Sequence, residues 1–180
     1  MATPFRPAFD LLVQYAAYHR DRRNIATHFI GVPLIVFAVS LLLGRPGFAI
    51  AGLWLTPAWI VFAPAALWYV TRGEFGLGIA VSAAIAVLVL LAQQVVGSGL
   101  ASPLGWGLGL FVVGWMIQLA GHYYEGRKPA LADDLVGLLV GPMFVALELL
   151  SQAGMFKSLV QRIDGRAGPT FLRDLAHPAT

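Results

Sequence analysis

Cysteine is absent from the 180 residues, which excludes disulfides, thiolate metal ligands and a cysteine nucleophile. Charge is scarce as well. Only 12% of the residues are Asp, Glu, Lys or Arg, where a soluble domain carries about a quarter. The charge that exists is segregated, with none from Asn24 to Gly44, from Pro46 to Thr71, or from Phe75 to Tyr124. We expect no signal peptide at the N-terminus, because Asp10 and the Arg20 to Arg23 cluster interrupt any short apolar region there.

What fills the gaps is apolar: 58% of the chain is hydrophobic, and a bilayer core needs about 20 such residues per helix. The reading is an all-α polytopic membrane helical bundle. Residues 5–19 place Phe5, Phe9, Leu12, Ala16 and His19 at helical spacing, which predicts an N-terminal interfacial helix. Four transmembrane helices follow, over about 25–43, 50–70, 77–96 and 104–123. Arg45-Pro46-Gly47, Thr71-Arg72-Gly73-Glu74 and Gly97-Ser98-Gly99 mark the turns between them. Residues 135–153 contain Pro142 and Glu148, so they read as a Pro-broken re-entrant or fifth helix. Residues 1–156 then form a single integral membrane domain and 157–180 a polar C-terminal tail. Asp133 and Asp134 are expected to cap the helix after them, and His177 to be unstructured.

Net charge is +3, and the positive clusters adjoin the spans. That favours a lipid bilayer with anionic headgroups as neighbour, and no nucleic acid. Arg6, Arg20, Arg22, Arg23, Arg72, Arg127 and Lys128 satisfy the positive-inside rule with the N-terminus inside and four spans. The alanine-rich composition suggests a bacterial inner membrane. His28 at the start of the first span and His122 at the end of the fourth then share the cytoplasmic surface.

Imidazole is a common transition-metal ligand, so this placement suggests a metal site. Tyr15 and His19 share a helical face, as do Asn24 and His28, but His19 and His28 converge only if the chain bends around Asp21 to Asn24. His19 is also explicable as part of a headgroup-binding basic cluster and Glu125 as a surface partner of Arg127; His28 is harder to dismiss, its alternative being a histidine hydrogen-bonded to a neighbouring helix. Glu148 lies among aliphatic residues and should be paired, protonated or metal-bound. Histidines with a carboxylate suit non-haem Fe(II), and zinc accepts similar ligands; residue types leave both open.

At these residues the chain resembles the family typified by the fungal 2-hydroxy fatty acid dioxygenase. The first block is Tyr18-His19, Asn24, His28 and Pro33. The second is Gly114-Trp115, Gln118, Gly121-His122 and Glu125, then Arg127-Lys128-Pro129-Ala130-Leu131. The third is Asp133, Leu135-Val136, Pro142, Phe144 and Glu148. The chain departs from the fungal pattern in having His19-Arg20 where that pattern has two histidines, and in a His122–Glu125 spacing one residue shorter. The resemblance implies an Fe(II)-dependent dioxygenase that takes a 2-hydroxy fatty acid and O2 and shortens the acid by one carbon. It implies His19, His28 and His122 as metal ligands, and Glu125 or Glu148 as a further ligand or base. Asn24, Gln118 and Arg127 would hold the substrate head. The alternatives are a non-enzymatic lipid-binding or scaffolding membrane protein, a zinc hydrolase of lipid esters, and, less well supported, a transporter. Sequence leaves protein partners unknown.

Overall fold

The computed structural model describes residues 5–50, 53–99, 102–127 and 136–175. Asp133, Asp134 and His177 lie outside them. Among the described residues there are seven helices and one small hairpin: α1 (Ala8–Ala16), α2 (Arg22–Leu42), β1 (Phe48–Ile50), β2 (Leu53–Leu55), α3 (Pro57–Val70), α4 (Phe75–Ser98), α5 (Pro103–Glu125), α6 (Val136–Gln152) and α7 (Lys157–Ala167).

Among the described residues, α2, α4 and α5 are long and apolar enough to cross a membrane. Between 22% and 33% of each of these spans is buried inside the protein, so most of their apolar surface faces outward and needs lipid to cover it. The chain is an integral membrane protein.

The expected second span, 50–70, differs. Its first part pairs as the antiparallel hairpin β1–β2, and only 14 residues form α3, about 21 Å of helix. Pro57 is the cause. A proline drives the residue before it into extended backbone, and Thr56 sits at φ −128°, ψ 163°, so the helix cannot begin earlier. Pro57 itself is well placed at the helix start, where its missing N–H goes unused.

The strongest contact in the bundle is between α2 and α5. It rests on Gly107, Gly114 and Gly121, seven residues apart on one face of α5. A Cβ at Gly107 would meet Leu42 Cγ at 2.6 Å, one at Gly114 would meet Ile35 Cγ1 at 2.6 Å, and one at Gly121 would meet Thr27 and Asn24. Small residues let helix backbones approach closely in a membrane, where apolar burial gives little drive for association. The order of those contacts is antiparallel, since the start of α5 meets the end of α2. His28 and His122 therefore lie at the same end of the pair.

α1 packs against α6 and α7. It buries Ala8, Leu11, Leu12, Tyr15 and Ala16, a stripe recurring at three and four residues, against Met143, Phe144, Leu147, Leu159 and Ile163. Phe5, expected on that stripe, precedes the helix and is 77% exposed. The face expected to lie in the lipid interface is covered by protein. α6 runs through Pro142 without a break, braced by the Tyr69 hydroxyl of α3, which donates to Leu139 O at 2.9 Å. α7 occupies the first part of the polar C-terminal segment and buries Leu159 and Ile163.

Candidate metal centre

Three elements each bring one histidine to a common point. α1 ends at Ala16, and the turn that follows places His19 before α2 begins at Arg22. The required bend thus falls at residues 17–21, slightly earlier than the sequence suggests. His28 comes from the second turn of α2, and His122 from the last turn of α5.

Local backbone fixes two of the rings. The His19 Nδ1 lies 2.7 Å from Tyr15 O, and the His28 Nδ1 lies 2.9 Å from Asn24 O. A carbonyl only accepts, so both Nδ1 atoms carry the proton and both Nε2 atoms present a lone pair. Those two Nε2 atoms face each other at 3.1 Å. Neither can donate to the other. A cation between them resolves the conflict: with metal–nitrogen bonds of about 2.1 Å, neighbouring ligand nitrogens on one ion sit about 3 Å apart.

His122 completes the cluster. Its ring centroid is 4.9 Å from that of His19 and 5.4 Å from that of His28. One ligand atom from each of the three rings lies within 4.8 Å of the others. The three residues are 0%, 2% and 6% exposed, so bulk water does not satisfy them, and the Nδ1 of His122 has no hydrogen-bond partner among the described residues. Burial holds the His19 imidazole well below its ordinary pKa. The imidazoles of His28 and His122 and the Arg20 charge add to that, against the Tyr15 carbonyl. Neutral imidazole is the ligating form, so the donors present fit a transition-metal ion.

Glu125 positions this cluster. Its carboxylate accepts the Arg20 N–H at 3.0 Å, the Asp21 N–H at 2.8 Å and the Asn24 Nδ2 at 3.1 Å. One buried carboxylate on α5 therefore ties the turn carrying His19, and the residue whose carbonyl orients His28, to the helix carrying His122. Asp21 caps α2 through Arg23 N at 2.8 Å. Burial alone would raise its pKa, but hydrogen bonds from the Arg23 side chain and from the backbone N–H groups of Arg173 and Arg23 outweigh that and hold it at about 2. Phe171 pairs with the same turn from the C-terminal segment, donating to Arg20 O at 2.9 Å and accepting from Arg22 N at 3.0 Å.

The other residues singled out in the sequence are dispersed around this point. Gln118 is buried, with neither side-chain Oε1 nor Nε2 hydrogen-bonded among the described residues, and lines a cavity of about 80 Å³ beside His28 and His122. Asn24 is buried, its Oδ1 also without a partner. Arg127 donates to Ala17 O at 2.8 Å and lies over the Tyr18 ring, away from that cavity. Glu148 sits on α6 within electrostatic reach of Arg20 and Asp164 and outside the histidine cluster.

Two further residues shape the site, and the sequence reading names both without giving either a task there. Tyr15 stacks on His19 with ring centroids 4.0 Å apart and planes within 5°, and it lines the cavity together with Trp115. The four-residue spacing from Tyr15 to His19 was the available signal. For Trp115 the signal was its place in the second block, one turn before Gln118.

Comparison with known proteins gives the chain a family. A family model described as 2-hydroxy-palmitic acid dioxygenase Mpo1-like matches residues 5–153. The 2-hydroxy-palmitic acid dioxygenase MPO1 of Saccharomyces cerevisiae is 32% identical over 151 residues, covering 81% of this chain and 80% of the yeast protein. No solved structure matches significantly. The resemblance read from the three sequence blocks is borne out: the chain belongs to the Mpo1-like 2-hydroxy-palmitic acid dioxygenase family.

Proposed function

We propose that this chain is a membrane-embedded Fe(II) dioxygenase that shortens 2-hydroxy fatty acids by one carbon, with His19, His28 and His122 holding the iron. The observation that carries the reading is the pair of buried Nε2 lone pairs facing each other at 3.1 Å. Family membership supports the choice of substrate and reaction. When bound, ferrous iron supplies the one-electron steps that let O2 react with a closed-shell acid.

The stoichiometry closes without an external reductant. Cleaving the bond between the carboxyl carbon and the hydroxyl-bearing carbon, and oxidising the latter to a carboxyl group, removes four electrons. One O2 takes up those four, the old carboxyl carbon leaves as CO2, and water is the remaining product.

The chain's own groups then have definite tasks. Tyr15 O and Asn24 O fix the tautomers of His19 and His28, and Glu125 fixes the turn between them. The unpaired amide of Gln118, on the wall shared with His28 and His122, suits a hydroxyl or carboxylate of the substrate head. Trp115 and Pro142 help enclose that space and limit water. We place the arginine-rich end of the bundle, and with it the site, on the cytoplasmic side by the positive-inside rule.

The test is elemental analysis of protein purified without oxygen, followed by O2 uptake with a 2-hydroxy fatty acid. One iron per chain, and O2 consumption equal to shortened acid formed, are expected. His28→Ala and His122→Ala should each abolish uptake while the protein still inserts in the membrane. Metal-free protein that consumes no O2 but binds lipid would favour the lipid-binding alternative.

A further inference from the structure

The cavity beside Gln118 adjoins a second one. The two share four wall residues, Ile35 and Val36 of α2 and Leu138 and Pro142 of α6. The second cavity is larger, about 290 Å³, and lies between α2, α3, α4 and α6. One face of α2 lines both: His28, Val32, the neighbours Ile35 and Val36, Val39 and the C-capping Leu43 follow one another at helical spacing. From His28 to Leu43 that face is about 22 Å long.

The chemistry of the second cavity is uniform. Its hydroxyl-bearing residues are Ser40 and Tyr69, and both hydroxyls are committed, to Val36 O at 2.8 Å and to Leu139 O at 2.9 Å. The far end is bounded by Leu43 and Ala58, which the Ala58 N–H joins by donating to Leu43 O at 3.1 Å. Among the described residues lining it, an occupant there would meet no unpaired side-chain donor or acceptor. The end beside the histidines, by contrast, holds the two unpaired groups of Gln118.

We propose that this second cavity binds the alkyl tail of the substrate. A long-chain acyl group would extend from the histidine end along α2, pass the waist at Val36 and Pro142, and reach toward Leu43 and Ala58. The site selects a long unbranched tail, and the distance from the histidines to Ala58 sets the longest chain that fits inside. This inference rests on the proposed function for the identity of the head, while the tail cavity is defined by its own walls.

Two measurements separate the one reading from the other. In the first, unmodified protein is labelled with a 2-hydroxy fatty acid carrying a photoreactive diazirine at the methyl end, and the labelled residues are mapped by mass spectrometry. Label on α3 or α4 near Ala58, Phe62 or Val89 is expected, whether or not the protein turns the acid over. Label confined to outward-facing residues such as Leu67 or Leu90 would overturn the proposal even with the dioxygenase active.

The second measurement compares activity across acids from medium to very long chains in Val39→Trp and Val39→Ala. The tryptophan should cut kcat/KM for long acids relative to short ones by roughly tenfold or more, the scale a change of methylene size carries in an apolar pocket. Activity on short acids and metal content should persist. An unchanged chain-length profile in folded, metal-loaded Val39→Trp would overturn the proposal. If that variant fails to fold, the labelling result decides.

Discussion

His19 and His28 illustrate how single residues acquire a role from their backbone. Each sits four residues after a carbonyl that accepts a hydrogen bond from its Nδ1–H, which leaves its other nitrogen free for a metal. The four-residue spacings Tyr15–His19 and Asn24–His28 were visible in the sequence. What each spacing supplied, a backbone acceptor fixing the tautomer, was not, because it depends on ring rotamers. Glu125 was also singled out, but as a possible ligand or base. The hydrogen bonds it accepts come from backbone groups more than 100 positions away in sequence, and no local pattern reports them. We predict that Glu125→Gln keeps the protein folded yet weakens metal binding by about 10–100-fold, the usual cost of losing a group that orients a ligand. Titration of metal-free protein with Fe(II) measures it. Unaltered affinity would show that the turn holds its shape without the carboxylate.

At the scale of elements, close approach of α2 and α5 decides the distance between His28 and His122. The seven-residue glycine spacing on α5 is plain in the sequence, yet glycine is common in membrane helices, and only the structure assigns those positions to the α2 contact. Gly114→Ala is expected to destabilise the protein by roughly 1–3 kcal/mol, as overpacking in a tight contact does, because its Cβ would meet Ile35 Cγ1 at 2.6 Å. Gly109→Ala, where a Cβ meets nothing within 4 Å, should cost little. Thermal unfolding in detergent compares the two. The hairpin before α3 was illegible for a different reason: an apolar, charge-free run reads alike as strand or helix, and the extended backbone imposed by Pro57 broke the expected span. α7 makes a separable prediction. Removing residues 157–180 exposes the α1 face that Leu159 and Ile163 cover and should lower both melting temperature and metal content. Asp164→Asn should change stability by less than about 1 kcal/mol, since its pair with Arg20 is 38% exposed on the aspartate side.

Over the whole molecule, the site exists because antiparallel pairing brings the start of the first span to the end of a span about 90 residues later. Charge patterning predicted that the two histidines share one end of the bundle, and their common place against Gly121 and Asn24 agrees with it. The number of spans was less legible, because span prediction counts apolar residues and α3 falls short of the required length. The C-terminal segment was least legible. Its polar composition says nothing of the pairing between Phe171 and the turn at Arg20 to Arg22. The central claim remains that three imidazoles from two spans and one turn bind a single ion. X-ray absorption at the iron edge of anaerobically loaded protein tests it most directly. The account predicts about one iron per chain with imidazole scattering from three histidines, reduced by one in His122→Ala; iron that is absent, or bound with no histidine signature, would contradict it.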